Sequence, residues 1–446
     1  MISQVIFIGL TLVVSYFAFV QFGQVVNKIR LGKAEEIKGD EGWRWKNVLL
    51  IAFGQKKMFK RWIPASLHLF IYVAFLFTQI ELIEILIDGF LGFHRFFAPY
   101  LGVFYTILIN FIELLSVLAL IATIAFLWRR NVQKLPRFVM AEMKGWPTLD
   151  GNLILVGELL LLIGIFSMNG ADMMLQSRGH DGYPDTGQLL MSSWLGTAFF
   201  DGFNSGQLVL IERMGWWLHI AVVFGFITYL PHSKHLHIFF AFPNVYFSKR
   251  QSRGEMNNMP EIMNEVKSMM GLSDDSGAEM TEEIPDFGAK DVTDLSWKTL
   301  LEAYTCTECG RCSSVCPANL TGKKLSPRKI MMDIRDRADE VWQTMKKADR
   351  TDKQTEKFDD GKSLFDYISR EEIFACTTCN ACVEACPVLI NPLEPILELR
   401  RYDILTNSAG PSDWLPMFNS IENGGAVWQM ANDRDQWAKE MSGGLD

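Results

Sequence analysis

Five long apolar runs in the first half of the chain decide most of what it can fold into. They cover residues 2–22, 64–87, 101–128, 153–168 and 214–240, each about 17 residues or longer, enough for a helix to cross roughly 30 Å of hydrocarbon. A water-soluble protein could not cover five such runs with the polar surface they leave. Inside lipid a backbone must satisfy its own hydrogen bonds, so each run predicts a helix. The first lacks a basic leader and an Ala-x-Ala-like cleavage site, which predicts a retained helix. The mean hydropathy of +0.11 averages this apolar half with a polar, charged remainder.

Basic residues set the expected orientation. Ten Lys or Arg against four acids lie between Gln24 and Trp62, and "WRRNVQKLPR" follows the third run. The segment from Asn169 to Ile211 carries Arg178 against Asp172, Asp181, Asp185 and Asp201. The N-terminus and that segment are therefore expected outside an inner membrane, and everything after Phe240 in the cytoplasm. The net charge of −8 gives no reason to expect nucleic acid as a partner.

All eight cysteines fall in two runs, "CTECGRCSSVCP" (Cys306, Cys309, Cys312, Cys316) and "CTTCNACVEACP" (Cys376, Cys379, Cys382, Cys386). Both read C-x2-C-x2-C-x3-C-P, the spacing of paired [4Fe–4S] clusters, in which the fourth cysteine serves the other cluster. The expected assignment is crossed: Cys306, Cys309, Cys312 and Cys386 for one cluster, and Cys376, Cys379, Cys382 and Cys316 for the other. Zinc gives no reason for the third cysteine step or for Pro317 and Pro387, and disulfides do not suit the cytoplasm. The long helix-patterned stretch between the runs predicts a helical ferredoxin domain, with electron transfer as its work.

Clusters beside a membrane raise the question of a carrier within it. Four of the seven histidines lie in "LHIAVVFGFITYLPHSKHLH", and ionisable groups at membrane depth are functional candidates. Haem b held by two histidines is the carrier they suggest. On one continuous helix His219 and His237 share a face and sit roughly 27 Å apart along the axis, while His235 points roughly 160° away. His68, near the cytoplasmic start of the second run, matches His237 in depth. For His219 three readings stand: a haem shared with His94, a hydrogen-bonding or quinone-binding role, or an empty second site. Glu81, Glu84, Glu113 and Glu158 are the polar candidates for quinone contact.

The last apolar run resembles the final helix of the nitrate reductase gamma-subunit family, a five-helix dihaem cytochrome b. The likeness rests on the two histidines around Pro231, Ser233 and Lys234, and on His68 in the second run. Thr78 stands where that family has a further histidine. The segment "CTECGRCSSVCPANLTGKKLSPRKI" with "CTTCNACVEACPVLI" resembles the iron–sulfur part of heterodisulfide reductase-like oxidoreductases, whose longer members continue into cysteine-rich CCG domains. The resemblance implies a cytochrome fused to a ferredoxin, with substrate chemistry on another polypeptide.

The expected architecture is all-α. A transmembrane haem b domain covers 1–247, a connector 248–294, a cytoplasmic helical ferredoxin domain 295–405, and an extension bearing Trp414, Trp428 and Trp437 covers 406–446. The expected function is electron transfer between quinone or quinol and a cytoplasmic CCG-type or flavoprotein partner, through one or two haems and two clusters. A membrane-anchored redox sensor without haem or turnover is the alternative.

Overall fold

The structure, a computed structural model, describes residues 2–37, 39–250, 255–256, 258–272, 287–348, 358–428 and 435–442. Most of the 248–294 connector's acidic stretch lies outside the described residues. Among the described residues the fold is all-α, and the one β-contact is an isolated bridge between Lys33 and Ser296.

The five apolar runs form five helices long and apolar enough to cross a membrane: α1 (Ile2–Ile29), α2 (Trp62–Leu91), α3 (Val103–Asn131), α4 (Trp146–Ser177) and α5 (Ser205–Tyr229). Their ends follow local chemistry. Asn204 and Gln207 close a reciprocal capping box at the start of α5, satisfying backbone donors that have no helical partner. α2 stops at Gly92, which turns left-handed at φ 77°. The outward faces are apolar, with Ile2, Leu12 and Phe19 on α1 fully presented to the surroundings. Such faces suit a lipid solvent rather than water. Helices α4 and α5 approach most closely at Gly164 and Gly215, where a Cβ on Gly215 would stand 2.7 Å from the Gly164 carbonyl oxygen. Small residues permit this backbone contact.

The fifth run corrects one expectation. Its helix ends at Tyr229, two short 3-10 turns (Leu230–His232 and Lys234–Leu236) follow, and a new helix α6 (His237–Tyr246) begins. Pro231 has no N–H to continue the ladder. Ser233 is extended, and its hydroxyl accepts from the His235 N–H at 3.2 Å. His219 and His237 are therefore on different helices, and the angular relation expected of one helix does not hold.

The cysteine-bearing region packs α7 (Trp297–Thr305), α8 (Pro327–Lys347) and α9 (Leu393–Arg401), with α10 (Trp414–Gly424) beside them. Fully buried Arg337 on α8 ties Asp291 to Asp360, with Nε–Oδ1 3.0 Å and Nη1–Oδ2 2.8 Å. One apolar core runs without a break from Val25, Ile29, Leu230 and Leu236 of the bundle into Leu300, Ile330 and Ile334. Lys28 pairs with Asp339 at 2.7 Å, and the Asn244 amide donates to the Val388 carbonyl at 2.8 Å. The region thus sits directly on one end of the bundle. Trp414 packs edge-on against Phe374, while Trp428 and Trp437 are exposed.

The close α4–α5 contact gives a stability prediction. Gly215→Val places a branched side chain against backbone and is expected to cost about 1–3 kcal/mol, as overpacking does. A lower thermal midpoint of the detergent-solubilised protein is the readout, and an unchanged midpoint would show the helices to be further apart.

Candidate redox site

At the end of the bundle that carries the cysteine region, the rings of His68 on α2 and His237 on α6 lie 6.4 Å apart, centroid to centroid. The His237 Nδ1 is 3.0 Å from the Lys234 carbonyl oxygen. A carbonyl can only accept, so Nδ1 carries the proton and Nε2 keeps its lone pair. His68 is held alike, its Nδ1 3.2 Å from Oε1 of buried Gln55. This second contact fixes the ring orientation as outer partners of metal-binding histidines do.

The broken helix also returns His235 to the site. Its ring centroid lies 6.0 Å from that of His237 and 5.6 Å from that of Phe226, and its buried Nδ1 has no hydrogen-bond partner among the described residues. Sequence reasoning had turned it away by assuming an unbroken helix. Pro231 was the available signal.

His219 repeats the pattern one level further along, with Nδ1 3.3 Å from the Leu161 carbonyl oxygen on α4. The structure does not bring His94 to it. His94 Nε2 lies 3.1 Å from Asp172 Oδ1, and its Nδ1 lies 3.5 Å from Arg213 Nη2. Both nitrogens are committed to an ion network at the opposite end of the bundle. Arg213 precedes His219 by six residues, roughly 9 Å of helix.

Of the four carboxylates singled out for quinone contact, Glu81 and Glu84 join that network, while Glu113 and Glu158 have partners of their own. Buried Arg95 bonds Asp172 at 2.9 Å and Asn169 at 2.6 Å. The Glu84 carboxylate accepts from the Tyr105 hydroxyl at 2.7 Å, and Glu81 accepts from the Asn169 amide at 3.1 Å. Glu113 is bonded by Ser192 and the Met191 N–H, and Glu158 by the Thr123 hydroxyl at 3.0 Å. A cavity of about 220 Å³ lies there, lined by Glu84, Asp88, His94, Arg95 and Glu212 among others.

The cysteines gather as two sets. Cys376, Cys379 and Cys382 line one small cavity together with Cys316 of the first run. Cys386 of the second run stands among Cys306, Cys309 and Cys312, within electrostatic reach of all three. The two loops repeat one geometry: Glu308 and Thr378, each two residues past the first cysteine, are left-handed at φ 55° and 56°. The Thr378 N–H then points at the Cys376 sulfur, 3.4 Å away, and Ile390 N–H at Cys386. Burial pushes the Cys306 thiol up to about 12 and Cys386 up to about 11. Those sulfurs hold their protons at neutral pH unless a cation stands among them to favour thiolate. Cys379 alone of the eight is exposed.

Three arginines approach the first set. Arg311 lies within the motif itself and is buried, and Arg61 donates to the Ser314 hydroxyl at 2.9 Å. Arg137 packs against Gly310, its Cβ 3.2 Å from where a Cβ on that glycine would lie. Sequence reasoning missed them, although Arg311 stands openly inside "CGRC".

The comparisons agree with this chemistry. The family described as 4Fe-4S dicluster domain matches residues 305–390. The "Probable iron-sulfur-binding oxidoreductase FadF" of Bacillus subtilis is 28% identical over 447 residues, covering 92% of this chain and 57% of that protein. The "EtfAB:quinone oxidoreductase" of Syntrophomonas wolfei is 26% identical over 405 residues, covering 86% and 52%. A "Probable membrane-anchored ferredoxin" of Chromohalobacter salexigens is 28% identical over 150 residues, 30% of this chain and 21% of its own length. The chain spans little more than half the length of the first two. No solved structure matches it. The chain is similar to iron–sulfur oxidoreductases, and it carries a segment that matches a 4Fe-4S dicluster domain beside five helices long and apolar enough to cross a membrane.

Proposed function

We propose that the chain is the electron-transfer part of a quinone-linked membrane oxidoreductase. It would bind one haem b between His68 and His237 and two [4Fe–4S] clusters in the crossed cysteine sets. Its soluble partner would be a cytoplasmic CCG-type or flavoprotein subunit. Bound there, these groups supply one-electron carriers.

The observation that carries the reading is the histidine pair. Two metal–imidazole bonds of about 2 Å each, with a ring centre about 1 Å beyond each nitrogen, place ring centroids roughly 6 Å apart, as His68 and His237 are. Their Nδ1 protons are spent on oxygen acceptors, so each offers Nε2 as a neutral ligand. For the clusters, the crossed sets bring four sulfurs to each site. The unpaired arginines beside Cys309 suit an anionic group.

The residues also order the three sites. The histidine pair lies at the bundle's end, Arg311 stands within electrostatic reach of both His68 and Cys309, and Cys379 opens outward. Quinone as the membrane-side reactant is supported by the relative whose name joins EtfAB to quinone. His219, with Nδ1 likewise spent, keeps a hydrogen-bonding or second-haem role, and Thr78 is turned to the Phe75 carbonyl of its own helix.

Haem per chain, measured by pyridine haemochrome on iron-quantified protein, tests the reading. One haem is expected, and His68→Ala and His237→Ala should each remove it. Full haem in either variant would sink the pairing. Haem-free wild type with two clusters' worth of iron would favour the anchored-sensor alternative.

The crossed assignment has its own test. Cys386→Ser should abolish the EPR signal that Cys309→Ser abolishes. If it instead removed the signal lost in Cys379→Ser, each motif would hold its own cluster.

A further inference from the structure

The charge around the first cysteine set is out of balance. Arg61, Arg137 and Arg311 come from three separate segments: the residue before α2, the turn between α3 and α4, and the cysteine loop. None has a carboxylate partner within ion-pair distance among the described residues. Arg61 is spent on the Ser314 hydroxyl, Arg311 on the Met58 carbonyl oxygen at 3.4 Å, and Arg137 lies over the Phe138 ring at 4.8 Å. The Arg137 Nε is buried with no hydrogen-bond acceptor among the described residues. Burial, with repulsion from Arg61, Arg311 and Arg129, pulls Arg137 down to about 10, and Cys309 is the neighbour that acts the other way.

The acid in the same loop does not offset them. Glu308 is already held by Lys234 at 2.6 Å and Arg335 at 2.8 Å. At the second set, among the described residues, the corresponding cation is Arg400, which acts on Cys376 and bonds the Cys376 and Ile373 carbonyls. Arg311 is buried and Arg61 and Arg137 are half-buried; like charges gathered away from water without counter-ions among the described residues are costly, so the trio calls for a resident anion. Reduction of a four-thiolate cubane adds a negative charge to a group that is already anionic, and fixed cations in low dielectric favour that form.

We propose that Arg61, Arg137 and Arg311 form a guanidinium collar that raises the reduction potential of the cluster at Cys309. They are tuning residues that act on the cluster through charge. The inference rests on the cluster reading above and adds to it the means by which the bundle's own turns set the potential of the adjoining site. It requires the two sites to respond differently to one substitution.

The test is an EPR-monitored redox titration of the full detergent-solubilised chain, with the Cys309→Ser variant identifying the first signal. Arg137→Gln is expected to shift that signal about tenfold towards the oxidised form, which is about 59 mV for one electron. The second signal should stay in place, and Arg137→Lys should restore the first. If Arg137→Gln fails to assemble, Arg311→Gln with Arg311→Lys makes the same comparison. Two unmoved signals, or equal shifts in both, would overturn the collar while leaving the clusters in place. A wild type without two reducible signals would overturn the cluster reading itself, and the collar with it.

Discussion

The buried contact between Lys234 and Glu308 fixes the rest of the site. Its ammonium reaches the carboxylate at 2.6 Å and the Pro147 carbonyl oxygen at 2.7 Å, with Arg335 completing the other side of Glu308. Ion pairs withdrawn from water hold only when hydrogen bonds satisfy the remaining valences, and here they do. The same Lys234 offers its carbonyl to His237. One residue therefore sets both the His237 imidazole and the first cysteine loop, so the histidine pair and the first cysteine set share a single geometric reference. A loose tether between bundle and ferredoxin could not give this.

The two ends of the bundle do different work. At one end, His235 Nδ1 and Arg137 Nε have no hydrogen-bond partner among the described residues, and Arg61, Arg137 and Arg311 have no carboxylate within ion-pair distance among them. At the other, Arg95 gathers Asp172, Asn169 and Tyr105, and takes φ 58° to do so. Polar groups this deep in an apolar bundle are tolerated when they pair with one another. The paired end is a structural clamp, and the unpaired end has valences left for guests.

The elements were legible where periodicity and length alone decide them: five helices and two cysteine loops follow directly from apolar runs and a fixed spacing. The pairing of His68 with His237 was readable from depth in the membrane. What the sequence hid was the break after Tyr229, because a proline near a helix end can either kink or stop it, and the long-range contacts of Lys234 with Asp150, Pro147 and Glu308 favour the stop. His235 was misplaced for that reason. The arginines were hidden differently. Arg61 and Arg137 read as ordinary flanking charges of membrane helices, and only folding turns them from the lipid headgroup region towards Cys309. Glu81 and Glu84 were legible as carboxylates at membrane depth, but their partners, Asn169 and Tyr105, lie on other helices and were not.

Cys379 is exposed, while the other seven cysteines are buried or half-buried. A sulfur that a soluble redox protein can approach is one that dioxygen can approach as well. Openness at this one corner therefore ties access for a redox partner to access for an oxidant. A partner seated over Cys379 would cover that corner and close both routes at once.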